Sequence, residues 1–321
     1  MVKDFSNSPV WIKVIGLGNC GCNAITSMSR DGMDKVELIA MDTDACSVQI
    51  SEASTKLLLG KKLTSGLGAG GNPLIGHNAA EENRVEMMNI IGSAQIVFIV
   101  AGMGGGTGTG SATVVADVAR QLGALIIGVV TTPFGFESKR RITIAENGIK
   151  TLMPLVDTLV VIPNERLLTR DNQQLSVNSC FRRSDEVLAN AVGTISGLLT
   201  FRGIFDLDFA DIKPFFKDAG LAMIYTGTGN GENRADDAAR SVLASPISDG
   251  SLAAARSVVF SISGKNLKQS EIEQAVEAIK QHVHSEAKVV FNVVTDRAKD
   301  NGVKITLVIT GFGPKPERKI R

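Results

Sequence analysis

Glycine is the residue type whose spacing first suggests chemistry. Six glycines fall in the nine residues from Gly102 to Gly110, within AGMGGGTGTGSA, directly after the apolar run AQIVFIVAG. A glycine in regular structure costs about 0.5–1 kcal/mol, so this density points to bare backbone amides packed around an anion such as phosphate. GLGNCG (Gly16–Gly21) and GLGAGGNP (Gly66–Pro73) lie at or just beyond the ends of other strand-like runs. Three such loops converging on one rim would hold a triphosphate.

The first loop by itself has another reading. GLGNCG matches G-x-G-x-x-G, and Asp42 and Asp44 follow at the end of the next strand-like run, as in nicotinamide or flavin dinucleotide enzymes. A dinucleotide needs a single pyrophosphate turn, so the second and third clusters argue against it. A Walker A loop is absent. The phosphates therefore fall to backbone amides, to the hydroxyls of Thr107 and Thr109, and to the amino end of a helix beginning near Thr109. Mg²⁺ would be held mainly through phosphate oxygens and water. Cys20 and Cys22 form a C-x-C pair, with Cys46 and Cys180 elsewhere. Zinc sites use wider, matched pairs, so reduced thiols and no protein-held metal are expected.

The elements that must position these loops follow from hydrophobic patterning. The apolar runs WIKVIG, VELIAM, KLLLG, QIVFIVAG, ALIIGVVT and DTLVVIP alternate with helical patterns, which predicts a parallel sheet covered on both faces. Ligands of such sheets sit at the carboxyl ends of the strands. From about Val177 to Thr200 an apolar stripe of Val187, Leu188, Ala191, Val192, Ile195, Leu198 and Leu199 predicts a long linking helix. Beyond it, LAMIYTG, ARSVVFSIS, AKVVFNVVT and VKITLVITG read as strands, with fewer helices between them. The expectation is an α/β chain. A Rossmann-like ligand-binding domain spans 1–173, the linking helix and its turn 174–203, and a smaller mixed α/β domain 204–321.

With 321 residues, 44% hydrophobic and 21% charged, the chain has the make-up of a globular protein of two domains. A net charge of +1 gives no reason to expect nucleic acid or an anionic membrane as partner. No apolar run approaches the ~18–20 residues of a membrane span, and the start MVKDFSNSPVWIKVIG lacks a signal-peptide pattern. A cytoplasmic location is expected.

GGGTGTG at Gly104–Gly110 resembles the signature loop of the tubulin and FtsZ superfamily, and AGMGGGTGTGSA is similar to the bacterial and archaeal FtsZ form of it. KLTSGLGAGGNP, TTPFGFESKRR, IPNERLL, LDFADI and GNGENRADDAA extend the resemblance over nearly the whole chain, in the family's order. The resemblance implies GTP or GDP as ligand. The first loop would contribute Gly18, Asn19, Cys20, Gly21, Cys22 and Asn23. Gly70 and Gly71 would come from the second, and Gly104, Gly105, Gly106, Thr107, Gly108 and Thr109 from the third. Pro133, Glu137 and Arg141 would lie along the nucleotide, the last two at its sugar and phosphates. Asn23, Asn164 and Asp185 match positions that contact guanine or ribose, and Phe181 one that packs on the base. A carboxylate at Asp185 suits guanine, which offers N1–H and an amino group where adenine has no matching pair of donors.

By the same resemblance, DLDFADI (Asp206–Ile212) carries the hydrolytic residues Asp208 and Asp211, which would orient water in the site of the next subunit. Hydrolysis would then depend on head-to-tail assembly into a filament, in the family's case the cell-division ring. Implied partners are further copies of the chain, other division proteins or an FtsZ paralogue, with membranes reached through anchors. The chain departs from the family in the first loop, where Asn19, Cys20 and Cys22 replace glycines and narrow the site. Asp206 and Asp42 stand where asparagine is usual. Those departures favour an alternative, a non-hydrolysing scaffold that binds GTP or GDP and co-assembles with an active paralogue. The family's linker and terminal docking peptide are not seen after the last strand, which implies either a truncated chain or another mode of recruitment.

Overall fold

The computed structural model describes residues 10–33, 36–167, 176–200, 209–244, 254–295 and 302–312, with side chains of the long helix to 198. The chain divides into two compact units, Met1–Ser196 and Gly197–Lys315.

In the first unit each apolar run becomes a strand and most intervening polar-apolar segments a helix. In order these are β1 (Ile12–Leu17), α1 (Gly18–Arg30), β2 (Glu37–Asp42), α2 (Ala45–Ile50), β3 (Thr55–Leu58), α3 (Lys61–Thr64), α4 (Pro73–Glu82) and α5 (Arg84–Ile91). Then come β4 (Ile96–Gly102), α6 (Thr107–Gln121), β5 (Leu125–Thr132), α7 (Lys139–Leu152) and β6 (Thr158–Pro163). The strands are all parallel, in the order β3-β2-β1-β4-β5-β6. β4 and β5 are buried along almost their whole length, as strands covered on both faces must be. The order reverses between β1 and β4, and in parallel sheets a ligand crevice opens at such a switch point, outside the carboxyl ends of the strands.

Helix α8 (Val177–Thr200) follows, with Leu188, Ala191, Val192, Ile195 and Leu198 buried along the expected stripe. The boundary between the units falls in its last turn, after Ser196.

The second unit holds α9 (Phe209–Phe216), β7 (Gly220–Gly229), α10 (Arg234–Ala244), β8 (Ser257–Gly264), α11 (Gln269–Lys280), β9 (Lys288–Thr295) and β10 (Val303–Thr310). β10 pairs antiparallel with both β7 and β8, and β8 pairs parallel with β9. Ala238 and Val242 of α10 and Ala275 and Ile279 of α11 share one core with Phe260, Ile305 and Leu307 of the sheet. The two helices are also tied by charge. Arg234, 5% exposed, donates from Nε and Nη2 to the two oxygens of Glu271 at 2.7 and 3.0 Å. That bidentate pairing holds the Glu271 carboxyl at about 2, well below the usual carboxylate range.

Candidate functional site

A cavity of about 280 Å³ opens where the strands of the first unit end. Its wall includes Leu17 of β1, Asp42 of β2, Gly102 of β4, Thr131 and Thr132 of β5, and Asn164 just after β6. Because the strands are parallel, all five present their carboxyl ends to the same rim. A larger cavity, about 640 Å³, lies in the second unit beside Phe215, Arg256 and Lys288. Among the described residues that line it there is no helix amino end, whereas two helices begin at the smaller one.

The smaller cavity receives the first turns of two helices. Gly18, Asn19 and Cys20 of α1 and Thr107 and Gly108 of α6 line it. Neither helix has a side-chain cap or an acidic residue in its first turn, whereas α2, α4 and α7 are capped by Asp44, Asn72 and Ser138. Uncapped amino ends leave backbone N–H donors and positive dipole ends aimed at one space, an arrangement suited to an anion. Helix α6 starts at Thr107, slightly earlier than its sequence suggests.

The glycines of the third loop divide their work. Gly104 turns the chain with φ of 103°, a conformation that L side chains rarely adopt. Gly108 and Gly110 allow close packing: a Cβ on Gly108 would stand 2.9 Å from the Gly102 carbonyl oxygen, and one on Gly110 2.0 Å from that of Pro73. Gly105, by contrast, lines the cavity, and a Cβ there would meet nothing within 4 Å. Gly71, from the second loop, behaves in the same way. These two leave a cradle that side chains would fill, and it suits a phosphate chain.

The hydroxyls also make contacts within the protein. Thr109 is buried and accepts from the Gly104 N–H at 2.9 Å, so it shapes the loop and does not line the cavity. Thr107 lines the cavity while its hydroxyl meets that of Thr43 at 2.6 Å, tying α6 to the end of β2. Cys22 is buried with its sulfur 4.0 Å from the Met41 carbonyl oxygen, and it does not line the cavity either.

At one side of the cavity stand groups suited to a nucleobase and sugar. Asn164 is buried and its side-chain oxygen accepts from the Ser184 hydroxyl at 2.8 Å. Phe134 and Phe136 stack at 5.0 Å, and Phe181 meets both edge-on at 5.4 and 6.4 Å. Phe181 lines the cavity and remains 39% exposed, an open aromatic surface at its mouth. Asp185 lies one residue beyond the cavity-lining Ser184, with Cys20 and Asn23 of α1 hydrogen-bonded to its carboxylate. Burial pushes the Asp185 carboxyl up to about 7.

Glu137 and Arg141 both line the cavity and form an ion pair, with Nη1 to Oε2 at 2.6 Å, and Glu137 Oε1 also accepts from the Phe134 N–H at 3.0 Å. The guanidinium is half exposed and keeps donors for a second anion. Pro133 and Gly106 also line the cavity, whereas Gly21, Asn23, Gly70, Gly104 and Asp185 do not appear on its wall. Asp42, Asp44, Ser47, Met103 and Thr131 do, and they were not expected as ligand contacts. The two aspartates sit where the dinucleotide reading had placed a ribose partner. Of the expected hydrolytic residues, Asp211 is exposed in the first turn of α9, and Asp208 lies outside the described residues.

Residues 11–171 match the tubulin/FtsZ family GTPase domain, and residues 220–313 the FtsZ family C-terminal domain. The fold is similar to that of the empty FtsZ dimer of M. jannaschii, with a TM-score of 0.90 and 39% identity over 95% of this chain and 89% of that one. The chain belongs to the tubulin/FtsZ family. A mutant FtsZ from the same organism gives a TM-score of 0.89 with 40% identity, over 94% of this chain and 91% of that one. A GTPγS-bound protofilament of CetZ2 from Haloferax volcanii shares the fold at 18% identity, with a TM-score of 0.77 over 94% and 92% of the two chains. The fold is therefore the two-domain tubulin/FtsZ fold. The GTPase-domain match makes GTP and GDP the family's ligands, and it spans the strand ends and both uncapped helix starts.

Proposed function

We propose that this chain binds GTP in the cavity of the first unit and hydrolyses it when a second copy docks head to tail. The observation that carries the reading is the convergence of two uncapped helix amino ends beside a guanine-compatible carboxylate. In this reading the phosphates lie on the amides of Gly105, Gly106 and Thr107 and of the first turn of α1, with Arg141 at their outer side. Phe181 covers the base, Asp185 accepts from guanine N1–H and the amino group, and Asn164 faces the sugar side. When bound, Mg²⁺ supplies charge neutralisation at the phosphates. Asp42 and Asp44 are the groups that would meet its water shell.

In this reading the group that orients the attacking water comes from outside the cavity. Asp211, exposed on α9, is assigned that role in the site of the neighbouring subunit, together with Asp208. The site is then complete only at the junction of two subunits, so turnover requires assembly. Head-to-tail contact of this kind uses two different surfaces and need not close, so it extends into an open filament. The dimer of M. jannaschii FtsZ and the CetZ2 protofilament support self-association. The filament is proposed to act in the cytoplasm, in the ring that divides the cell. Among the described residues no helix is long and apolar enough to cross a membrane, and membrane contact is assigned to anchor proteins.

GTP turnover measured against protein concentration, with light scattering in the same cuvette, tests the reading. Turnover per molecule and scattering should rise together above a threshold. The Asp211→Ala variant should still scatter but turn over roughly 10²-fold more slowly. Normal turnover in that variant would remove Asp211 from the chemistry. Binding without turnover at every concentration would make the chain a scaffold for an active paralogue.

A further inference from the structure

We propose that Cys20 is a positioning residue for guanine recognition, its thiol holding the Asp185 carboxylate as an oriented acceptor for the base. The inference rests on the guanine reading of the cavity and deepens it.

The geometry clamps the thiol. Its sulfur lies 3.6 Å from Asp185 Oδ1, to which it donates, and 3.9 Å from the Thr131 hydroxyl oxygen. Beneath it is Gly102, where a Cβ would stand 3.0 Å from the sulfur and 2.9 Å from the Cys20 Cβ. The sulfur thus occupies a slot that the glycine at the end of β4 leaves open, and the thiol has little freedom to turn away. Cys20 and Asn23 are three residues apart on α1, hence on one face of the helix, and both hydrogen-bond the same carboxylate. A carboxylate has about four lone-pair positions, so these two leave room for both guanine donors.

Protonation gives the arrangement its consequence. Burial, and then the charge of Asp185, drive the Cys20 thiol far above its ordinary range, so it remains an S–H donor and is a poor nucleophile. Asp185 is pushed up to about 7 by burial, and the Cys20 and Asn23 hydrogen bonds act in the opposite direction. Glu186 on the same helix raises it further. Asp42, Asp44, Glu137 and Arg141 are the ionisable groups that line the adjoining cavity alongside Cys20. A protonated Asp185 presents a hydrogen where guanine also presents one. Loss of the thiol donor should therefore shrink the ionised, guanine-binding fraction at neutral pH.

The test is calorimetric titration of the whole chain with GTP and with ATP from about pH 5.5 to 8.5, for the wild type, Cys20→Ala and Cys20→Ser. In the wild type, GTP affinity should fall about tenfold between roughly pH 8 and pH 6, as the ionised fraction drops. In Cys20→Ala the midpoint should move up by about 0.5–1 pH unit, which weakens GTP about two- to fivefold at neutral pH. ATP affinity should not change, and Cys20→Ser should restore most of the wild-type profile. A packing defect alone would weaken both nucleotides equally at every pH, and that result overturns the positioning role. So does an acid limb that stays in place in Cys20→Ala, or one that moves equally in Cys20→Ser. Equal binding of GTP and ATP by the wild type overturns the guanine reading itself, which keeps the two failures apart.

Discussion

Two glycines three residues apart in one loop should respond to the same methyl group in opposite ways. Gly105 has no neighbour within 4 Å of an added Cβ, and its backbone is outside the left-handed region, so alanine fits without strain. Reduced freedom of the unfolded chain should make Gly105→Ala about 0.5 kcal/mol more stable. The methyl would nevertheless stand in the cavity, in the way of a phosphate. If it costs one charge-assisted hydrogen bond, about 1.5–3 kcal/mol, GTP should bind roughly 10- to 150-fold more weakly.

Gly108 lies inside the start of α6, where a Cβ would come 2.9 Å from the Gly102 carbonyl oxygen and 3.2 Å from that of Leu17. Both are backbone atoms of neighbouring strands and yield little. Overpacking outweighs the gain in helix propensity, so Gly108→Ala should lose about 1–2 kcal/mol, or roughly 2–8 °C in Tm. Scanning calorimetry without nucleotide and GTP titration by calorimetry read the two effects separately. Unchanged GTP affinity in Gly105→Ala would show that no phosphate rests there, and an unchanged Tm in Gly108→Ala would refute the close-packing argument.

Two further substitutions probe the remaining links. Phe181→Ala should weaken GTP and GDP alike by about 1–2 kcal/mol, five- to thirtyfold, and leave the preference for guanine over adenine intact; a changed preference in competition binding would mean that Phe181 reads the base edge. Arg234→Met should destabilise the second unit by about 3 kcal/mol in urea unfolding, because it removes the bidentate cation from the Glu271 carboxylate at 13% exposure and leaves it the Lys268 N–H at 2.8 Å. The folded-state pKa of Glu271 is depressed to about 2, so the ion pair's contribution is complete above the unfolded value near 4.3 and fades as pH falls towards 2. Wild type and Arg234→Met should therefore converge in stability across that acid range, and a constant difference would place the energy in packing instead.

Much of this molecule is legible without coordinates, because the signals are local. Buried parallel strands read as unbroken apolar runs, and β4 and β5 were visible as QIVFIVAG and ALIIGVVT. The glycine loops were recognisable as turns with bare amides, and the stripe of α8 through Leu188, Val192 and Ile195 follows from helical period alone. That the loops share one rim also follows from a parallel sheet, whose strands all end on the same side.

Tertiary structure decided what each residue in those loops does. Cys20 and Cys22 look equivalent in sequence, yet residues two apart on a helix point in nearly opposite directions. One therefore meets Asp185, 165 residues away in sequence, and the other the carbonyl of Met41. The glycines of GGGTGTG look alike as well, but three-dimensional packing gives Gly108 two backbone carbonyls for neighbours and Gly105 open space. Thr131, Ser184 and Asp42 join the cavity only because strand ends and a helix distant in sequence converge there. Sequence carries periodicity and local backbone preference, whereas the direction of a side chain and the burial that shifts its pKa depend on what the rest of the chain packs against it.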